Sequence, residues 1–488
     1  MSSIGPVIAL LNRIGLNQKL VAAFDRWAIW AVLALAAALR LWNLGFPKKL
    51  VFDETYYVKD AWTLWNTGAE RSWPTDPNAA FEAGQVDSYL ADPSFVVHPP
   101  LGKWIIGFGM WLFGPENPAS WRISVAVLGI AMVYVLYLVA KLLFRSNFWA
   151  VASAFLLAID GQAIVLSRTA LLDNVLAFFV LLAFYCVLLD LQTRDVGRLS
   201  WRRSWLVWAG VFLGAATAVK WSGLYFAIAF GLWVVISEAL ERRRRSEGAA
   251  WLSASLSQGS RVFALMAPGA ALVYLLSWSG WILGSDGYQR QYAPTWFESL
   301  IAYHENAYGF HVGLSTPHSY ASNPLTWLFA LRPTSFFYEG VDSGTEGCTA
   351  VENCSVAVTA LGNPFIWWPA ALAIFFVLVW FIRMKDRTSG LILLGIVAGY
   401  VPWLFLMKRT MFQFYAISFL PWMILALVYV VQIYIRGAEP EVARKIKAGF
   451  VIYLIAAFAL TLFFLPIWNG TLIPYDYWRV HMWLPSWI

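Results

Sequence analysis

Long apolar runs alternate with short polar breaks along almost the whole chain. Runs of about 17–25 such residues, coiled as helices, are long enough to cross the hydrocarbon of a bilayer. About eleven are predicted, near 27–44, 121–140, 149–166, 171–189, 205–220, 222–238, 262–283, 364–382, 390–406, 412–434 and 448–467. The fifth and sixth are short and share one tight turn, Lys220-Trp221-Ser222. The first run is longer than the apolar part of a cleavable signal and ends on an acidic pair, so it is expected to be retained.

The polar breaks are unequal. Three on one side are long, at 45–120, 284–363 and the tail 468–488, whereas those on the other side are short. The first long segment predicts a helix near 54–66: Asp53 can cap it, and Tyr56, Tyr57, Ala61, Trp62, Leu64 and Trp65 offer an apolar face suited to the membrane interface. A Pro- and acid-rich stretch follows, then His98-Pro99-Pro100-Leu101-Gly102-Lys103 and a second interfacial or re-entrant helix near 103–113. There is no internal repeat and no segment large enough for a separate soluble module. The expected fold is an all-α polytopic membrane protein, with residues 1–488 forming one transmembrane domain.

Composition agrees: 60% of the 488 residues are hydrophobic and only 13% charged, more apolar surface than a soluble core can bury. The 29 Trp and 21 Tyr suit aromatic belts at the two interfaces. Charge sets the expected orientation. The N-terminal tail and the short loops near 141–147, 190–204, 239–261, 383–389 and 435–447 carry 21 of the 35 Lys and Arg, and with Glu238 only 9 of the 28 acids. The positive-inside rule makes these regions and the N-terminus cytoplasmic, and an odd number of spans puts the C-terminus outside. The run Arg242-Arg243-Arg244-Arg245, lying between two apolar segments, reads as a topology signal rather than a nucleic-acid patch. Cys186 falls inside a span. Cys348 and Cys354, separated by five residues in the second long segment, can close a structural disulfide in an oxidising compartment; a metal clip is disfavoured without neighbouring His.

Candidate chemistry begins at Asp53 and Glu54. Two adjacent carboxylates at the end of a span are costly to place as packing, but suit a base at the outer membrane surface. The competing reading is an N-cap with a dipole-favoured neighbour. Lys103 and Arg122 flank the same acidic segment and are candidate phosphate ligands, against simple snorkelling. Arg168 is the expected partner of Asp173, as a structural ion pair shaping a cavity, and Lys220 shares the ambiguity. Tyr303-His304-Glu305 with His311 and His318 matches no standard zinc spacing, so aromatic packing or acceptor contacts are expected there. Lys408-Arg409, next to an aromatic run, could complete an anionic-lipid site or anchor the chain at the interface.

Taken together these pieces resemble the protein O-mannosyltransferase family, membrane glycosyltransferases of the GT-C architecture. The matching pieces are Phe-Asp-Glu at 52–54, His-Pro-Pro-Leu-Gly-Lys at 98–103, Trp-Arg at 121–122, Ser-Arg-Thr-Ala-Leu-Leu-Asp at 167–173, Val-Lys-Trp-Ser-Gly-Leu at 219–224, Tyr-His through His-Ser-Tyr-Ala-Ser-Asn-Pro at 303–324, and Phe-Gln-Phe-Tyr at 412–415. They occur in the family's order across nearly the whole chain, and the size resembles an actinobacterial member. The resemblance implies a polyprenyl monophosphate mannose donor, a Ser or Thr acceptor on a secreted polypeptide, and inversion from a β-linked donor to an α-O-mannosyl product. It implies Asp53 as base or acceptor-positioning group, Glu54 as its acceptor-binding neighbour, and Lys103, Arg122 and Arg409 as donor-phosphate ligands. His98, Arg168, Asp173, His304 and His318 are further candidate cavity or acceptor contacts. Eukaryotic members carry a MIR module in the loop corresponding to 284–363. That loop spans about 80 residues here and has none, so their acceptor recognition and obligate pairing do not carry over.

The expectation is therefore a multi-pass plasma-membrane mannosyltransferase with its site and C-terminus outside. Its partners are the lipid donor, a polypeptide acceptor and membrane lipids, with no nucleic acid. No cofactor is predicted, and a divalent cation is left open. The rivals are a GT-C transferase acting on a lipid or cell-wall glycan and, in another class, a transporter or flippase. The latter would call for mid-bilayer charges and inverted repeats.

Overall fold

A computed structural model describes residues 16–194, 201–244, 251–350 and 353–488. Among these, eight helices are long and apolar enough to cross a membrane, or nine when one bent pair counts as a single span. In chain order the helices are α1 (Leu16–Leu41), α2 (Glu54–Thr67), α3 (Asn78–Glu82), α4 (Leu101–Phe113), α5 (Pro118–Phe144), α6 (Asn147–Ile159), α7 (Gly161–Ser167), α8 (Leu172–Thr193), α9 (Ser204–Val219), α10 (Gly223–Arg244), α11 (Trp251–Ser277), α12 (Ser279–Leu283), α13 (Trp296–Gly313), α14 (Pro364–Met384), α15 (Arg387–Leu404), α16 (Leu420–Arg436), α17 (Pro440–Asn469) and α18 (Tyr475–Val480). The chain is a multi-pass membrane protein. Two of the eleven expected spans, near 205–220 and 412–434, fall on the shorter apolar helices α9 and α16, of 16 and 17 residues.

The expected span at 149–166 is broken. Between α6 and α7 the axis bends by 63° at Asp160. A carboxylate inside an apolar bundle is costly unless its lone pairs are filled. Asp160 accepts from Ala163 N (3.0 Å), Asn363 N (3.1 Å) and Trp367 Nε1 (2.8 Å), capping α7 and tying it to the start of α14. Trp121, Trp367 and Trp422 are fully buried in the surrounding core.

Close packing of α9 needs glycine. A Cβ at Gly210 would lie 2.2 Å from the Met266 carbonyl oxygen, and one at Gly214 would lie 2.4 Å from Ala270 Cα, so α9 and α11 meet backbone to backbone through a small-residue stripe.

The helical expectation for the long polar segments needs an addition. β1 (Thr334–Val341), β2 (Cys354–Ala360) and β3 (Ile473–Pro474) form an antiparallel sheet in that order, joining the 284–363 loop to the C-terminal segment. Their β-branched and aromatic residues suit strands, and β2 is buried along its whole length. Cys348 and Cys354 form the expected disulfide at the foot of β2. Helices α2 and α4 form where helices were expected in the first long segment, within two residues of the expected limits at each end.

At the opposite end of the bundle, Arg203 forks onto Asp190 (2.9 and 2.5 Å) and reaches Glu238 (3.0 Å), while Arg194 lies 3.6 Å from Glu238. Arg242 joins Glu238 at 3.4 Å; the basic run continues to Arg245, which lies outside the described residues.

Replacing Gly210 or Gly214 with Leu should force α9 off α11. The expected outcome is a loss of folded, monodisperse protein in detergent, or a melting point lowered by several degrees. A wild-type melt for Gly210→Leu would refute the backbone contact.

Candidate functional site

The site grows from the turn that ends the first polar stretch. Phe52 has φ +50°, a left-handed conformation that is costly for a bulky residue and persists only where packing enforces it. Its ring is held on several sides, stacked on Phe336 (5.0 Å) and edge-on to Phe412 (5.4 Å), Phe414 (5.6 Å) and His318 (5.9 Å). The turn sends the two adjacent carboxylates to different environments.

Glu54 is fully buried. Its oxygens accept a fork from Arg122 (Nε to Oε1 and Nη2 to Oε2, both 2.8 Å), and also the backbone N–H groups of Val51 (3.0 Å) and Ala170 (2.7 Å). Arg122 completes its donor set on the carbonyls of Leu44, Pro47 and Lys49. The pair fastens the first polar segment to α5 and to the turn before α8. Arg122, expected as a phosphate ligand, is 1% exposed with its guanidinium occupied by these partners.

Asp53 makes no side-chain capping bond, so the capping role expected for it is not what the carboxylate does. It is half-buried and hydrogen-bonded to Tyr57. Burial raises its pKa to about 6, against the lowering by nearby Lys220 and with a further push from Asp173. That places a base near neutrality. Burial holds Tyr57 well above the usual phenol range, so its hydroxyl stays a donor.

Lys220 and Asp173 form a two-pronged ion pair at 2.8 and 2.9 Å. Asp173 sits in the first turn of α8 and Lys220 caps the C-terminus of α9, each favoured by its helix dipole. The Lys220 ammonium also lies 4.9 Å from the centre of the Tyr415 ring. The expected Arg168–Asp173 pair is therefore corrected. Arg168 instead donates to the carbonyls of Leu39, Arg40, Trp42 and Asn43, closing the C-terminal end of α1.

Beside this pair opens a cavity of about 700 Å³. Its polar lining includes His98, Asp173, Lys220, His311 and Arg409, and its apolar wall runs through Trp403 to Met407. Phe405, on that wall, is 83% exposed, as suits a surface facing lipid. His311 Nε2–H donates to the Val97 carbonyl (2.9 Å), leaving Nδ1 to accept from Arg409 Nη2 (3.2 Å). Burial lowers the His311 pKa to about 4, so the ring is neutral and can accept. Among the described residues Arg409 Nε has no hydrogen-bond partner, nor has His98 Nδ1. Such a pocket, cationic on one side and greasy on the other, can hold an anionic headgroup with an apolar tail.

Of the expected site residues, the structure brings Asp53, His98, Asp173 and Arg409 to this cavity or its electrostatic reach. Lys103 lies apart, buried against Glu70 (2.5 Å) and the His98 carbonyl (3.2 Å). His304 is in a buried relay: its Nδ1–H donates to Leu300 O and its Nε2 accepts from Tyr274, whose oxygen accepts from Trp221. His318 stands on the other side of the Phe52 turn, edge-on to Phe412. Among the described residues no three His, Cys, Asp or Glu side chains converge in a way that could hold a metal ion. Of the residues gathered here, Tyr57 was expected only on the apolar face of its helix and Tyr415 only within an aromatic run, whereas Lys220 was expected as an alternative ion-pair member and His311 in aromatic packing or acceptor contacts. The available signal was Lys220 itself, a lysine in a three-residue turn between apolar runs, which must find a counter-ion.

Residues 82–267 match the family described as dolichyl-phosphate-mannose-protein mannosyltransferase, and residues 296–487 match the C-terminal four-helix membrane region of protein O-mannosyltransferase. A polyprenol-phosphate-mannose–protein mannosyltransferase of Mycolicibacterium smegmatis is 32% identical, with 94% of this chain and 93% of that protein aligned. The protein of the same description from Corynebacterium glutamicum is 30% identical over equal shares. Among solved structures, the S. cerevisiae Pmt1-Pmt2 complex bound to the sugar donor superposes with a TM-score of 0.75 at 15% identity, covering 95% of this chain and 92% of that one. ArnT from Cupriavidus metallidurans bound to undecaprenyl phosphate gives 0.51 at 17%, covering 87% and 63%. At these identities the two structures speak to the fold alone, the GT-C architecture.

The Glu54–Arg122 fork should behave as a structural clamp. Glu54→Ala leaves a buried guanidinium unpaired and is expected to cost about 3–5 kcal/mol of stability, whereas Asp53→Asn should leave the melting point of the purified protein nearly unchanged. Equal melting points for Glu54→Ala and wild type would overturn that division.

Proposed function

The chain belongs to the protein mannosyltransferase family, and from that premise we propose that it transfers mannose from polyprenyl monophosphate mannose to Ser or Thr hydroxyls of secreted or membrane polypeptides. The observation that carries the reading is the cavity lined by Asp173 and Lys220, whose charges act on Asp53; it joins cationic groups to an apolar, outward-facing wall. A sugar-phosphate lipid needs both surfaces at once.

In this mechanism the donor phosphate sits against Arg409, with the prenyl chain leaving along the wall from Trp403 to Met407. The acceptor oxygen attacks the anomeric carbon from the face opposite the phosphate. A C–O bond forms to the acceptor as the bond to the phosphate oxygen breaks, and that oxygen keeps the electron pair. The hydroxyl proton passes to Asp53. Configuration inverts, giving an α-linked product from a β-linked donor. His311 acts through Arg409, holding the guanidinium by an acceptor nitrogen that the low pKa keeps unprotonated. Tyr57 orients the Asp53 carboxylate.

The whole chain serves as one catalytic unit on this reading. It lies in the plasma membrane with its N-terminus cytoplasmic and its site and C-terminus outside. The basic bias of the short loops and the Cys348–Cys354 disulfide on the site's side support that orientation.

Purified enzyme given radiolabelled polyprenyl-phosphate-mannose and a Ser/Thr-rich peptide should label the peptide. Label appearing only in lipid or glycan would transfer the reading to another acceptor class. Asp53→Asn should lower kcat by about 10²–10⁴-fold; wild-type turnover would remove Asp53 from the base role. Because the base must be ionised, kcat/KM for the acceptor should rise with pH and level off above its pKa of about 6; a rate independent of pH between 5 and 7 would oppose this. Arg409→Ala should raise the donor KM at least tenfold, about 1.4 kcal/mol, measured by varying donor at saturating peptide.

A further inference from the structure

A second groove, outside the helical bundle, remains after the donor cavity is assigned. It has a volume of about 300 Å³ and lies where β1 and β2 meet the C-terminal segment. Tyr320, Tyr338, Tyr475 and Trp478 line it, with Ser335 and Thr359 between them. The Trp478 ring packs against Tyr338 (5.0 Å) and Tyr475 (5.5 Å), building a semi-rigid aromatic floor. Tyr338 and Tyr475 are nevertheless 46% and 37% exposed, more than rings serving only as packing.

The groove adjoins the Phe52 turn through a chain of ring contacts. Tyr320 contacts His318 (6.3 Å between rings), and His318 contacts Phe52 (5.9 Å), which precedes Asp53 in the chain. On the other wall Ser335 precedes Phe336, the ring stacked on Phe52. Two ring contacts thus separate groove from base, a distance that about four residues of extended chain would cover at 3.3–3.6 Å each.

We propose that this groove is an acceptor subsite, binding the polypeptide about four or more residues from the Ser or Thr being mannosylated. The inference rests on the function proposed above and names where its acceptor is read. A polypeptide fits better than a glycan because β1 is an edge strand, paired only with β2 among the described residues. It can therefore offer main-chain groups as well as ring faces. Tyrosines give large amphipathic contact at low entropic cost, tolerant of varied sequences.

The test compares two Thr acceptors given to the full-length enzyme: a tripeptide, too short to reach the groove, and a peptide of about fifteen residues. The double variant Tyr338→Ala/Tyr475→Ala should raise KM for the long acceptor about tenfold, with its kcat, the donor KM and all tripeptide kinetics unchanged. Ser335→Trp, which fills the groove instead of emptying it, should give the same defect and covers the case in which the double variant melts early. Equal effects on long and short acceptors, or none on either, would overturn the subsite. So would a defect confined to acceptors already carrying mannose, which would assign the groove to sugar. Failure of the wild-type enzyme to label either peptide would instead sink the protein-acceptor reading itself, which the wild-type control detects separately.

Discussion

The buried fork between Arg122 and Glu54 is the interaction on which the outer architecture rests. Neither charge could remain dry alone, since moving an isolated ion into low dielectric costs several kcal/mol even after relaxation. The structure meets that cost with a nearly complete set of partners: three carbonyls and a carboxylate for the guanidinium, two backbone N–H groups and the fork for the carboxylate. Those partners come from the end of the first span, the loop beyond it, α5 and the turn before α8. An apolar contact of equal area would hold these segments together but would tolerate sliding. The fork admits one register, and so determines where the next residue back, Asp53, must stand.

Two neighbouring carboxylates therefore meet different surroundings: Glu54 is fully buried on its partners, whereas Asp53 keeps partial exposure. Phe52, in the left-handed region, makes the turn that precedes both, and four aromatic rings hold that strained turn. The division of labour extends to the cations. Arg122 and Arg168 saturate carbonyls and a carboxylate, Lys103 is neutralised by Glu70, and Lys220 by Asp173. Arg409 is tethered by a neutral histidine rather than an acid, so its charge is not cancelled locally. Counting which donors are already used distinguishes a ligand from a strut more sharply than proximity does.

Much of the fold was legible because a membrane enforces one rule, that backbone groups in hydrocarbon must be satisfied within helices. The long runs and the two helices of the first long segment followed from periodicity and length. The break at Asp160 did not, since its satisfaction depends on Asn363 and Trp367, some 200 residues away. The sheet was missed for a related reason: β3 is two residues long and acquires meaning only beside β2. At the site, the chemical types were readable and the pairings were not. Arg168, five residues before Asp173, is the partner the chain suggests, and only the fold brings α9's end, rather than α7's, to the start of α8. The same limit explains Lys103 and Arg122, whose Lys and Arg character suits a phosphate whichever way the side chain points.

Asp53 depends on a balance of opposing effects rather than on one neighbour. Dehydration raises its proton affinity, Lys220 lowers it, and Asp173 offsets part of that lowering by occupying the ammonium. Were Lys220 unpaired, its field would favour the ionised carboxylate and make a weaker base; without Lys220, burial and Asp173 would both push toward the protonated acid. The Asp173–Lys220 pair is nearly neutral as a unit, so it can line an anion-binding cavity without surrendering Asp53 to either extreme. This is a physical reason for placing an ion pair, instead of a lone lysine, near the proposed base: the pair supplies local polarity, while the charge for the proposed phosphate site comes from Arg409 in the same cavity lining.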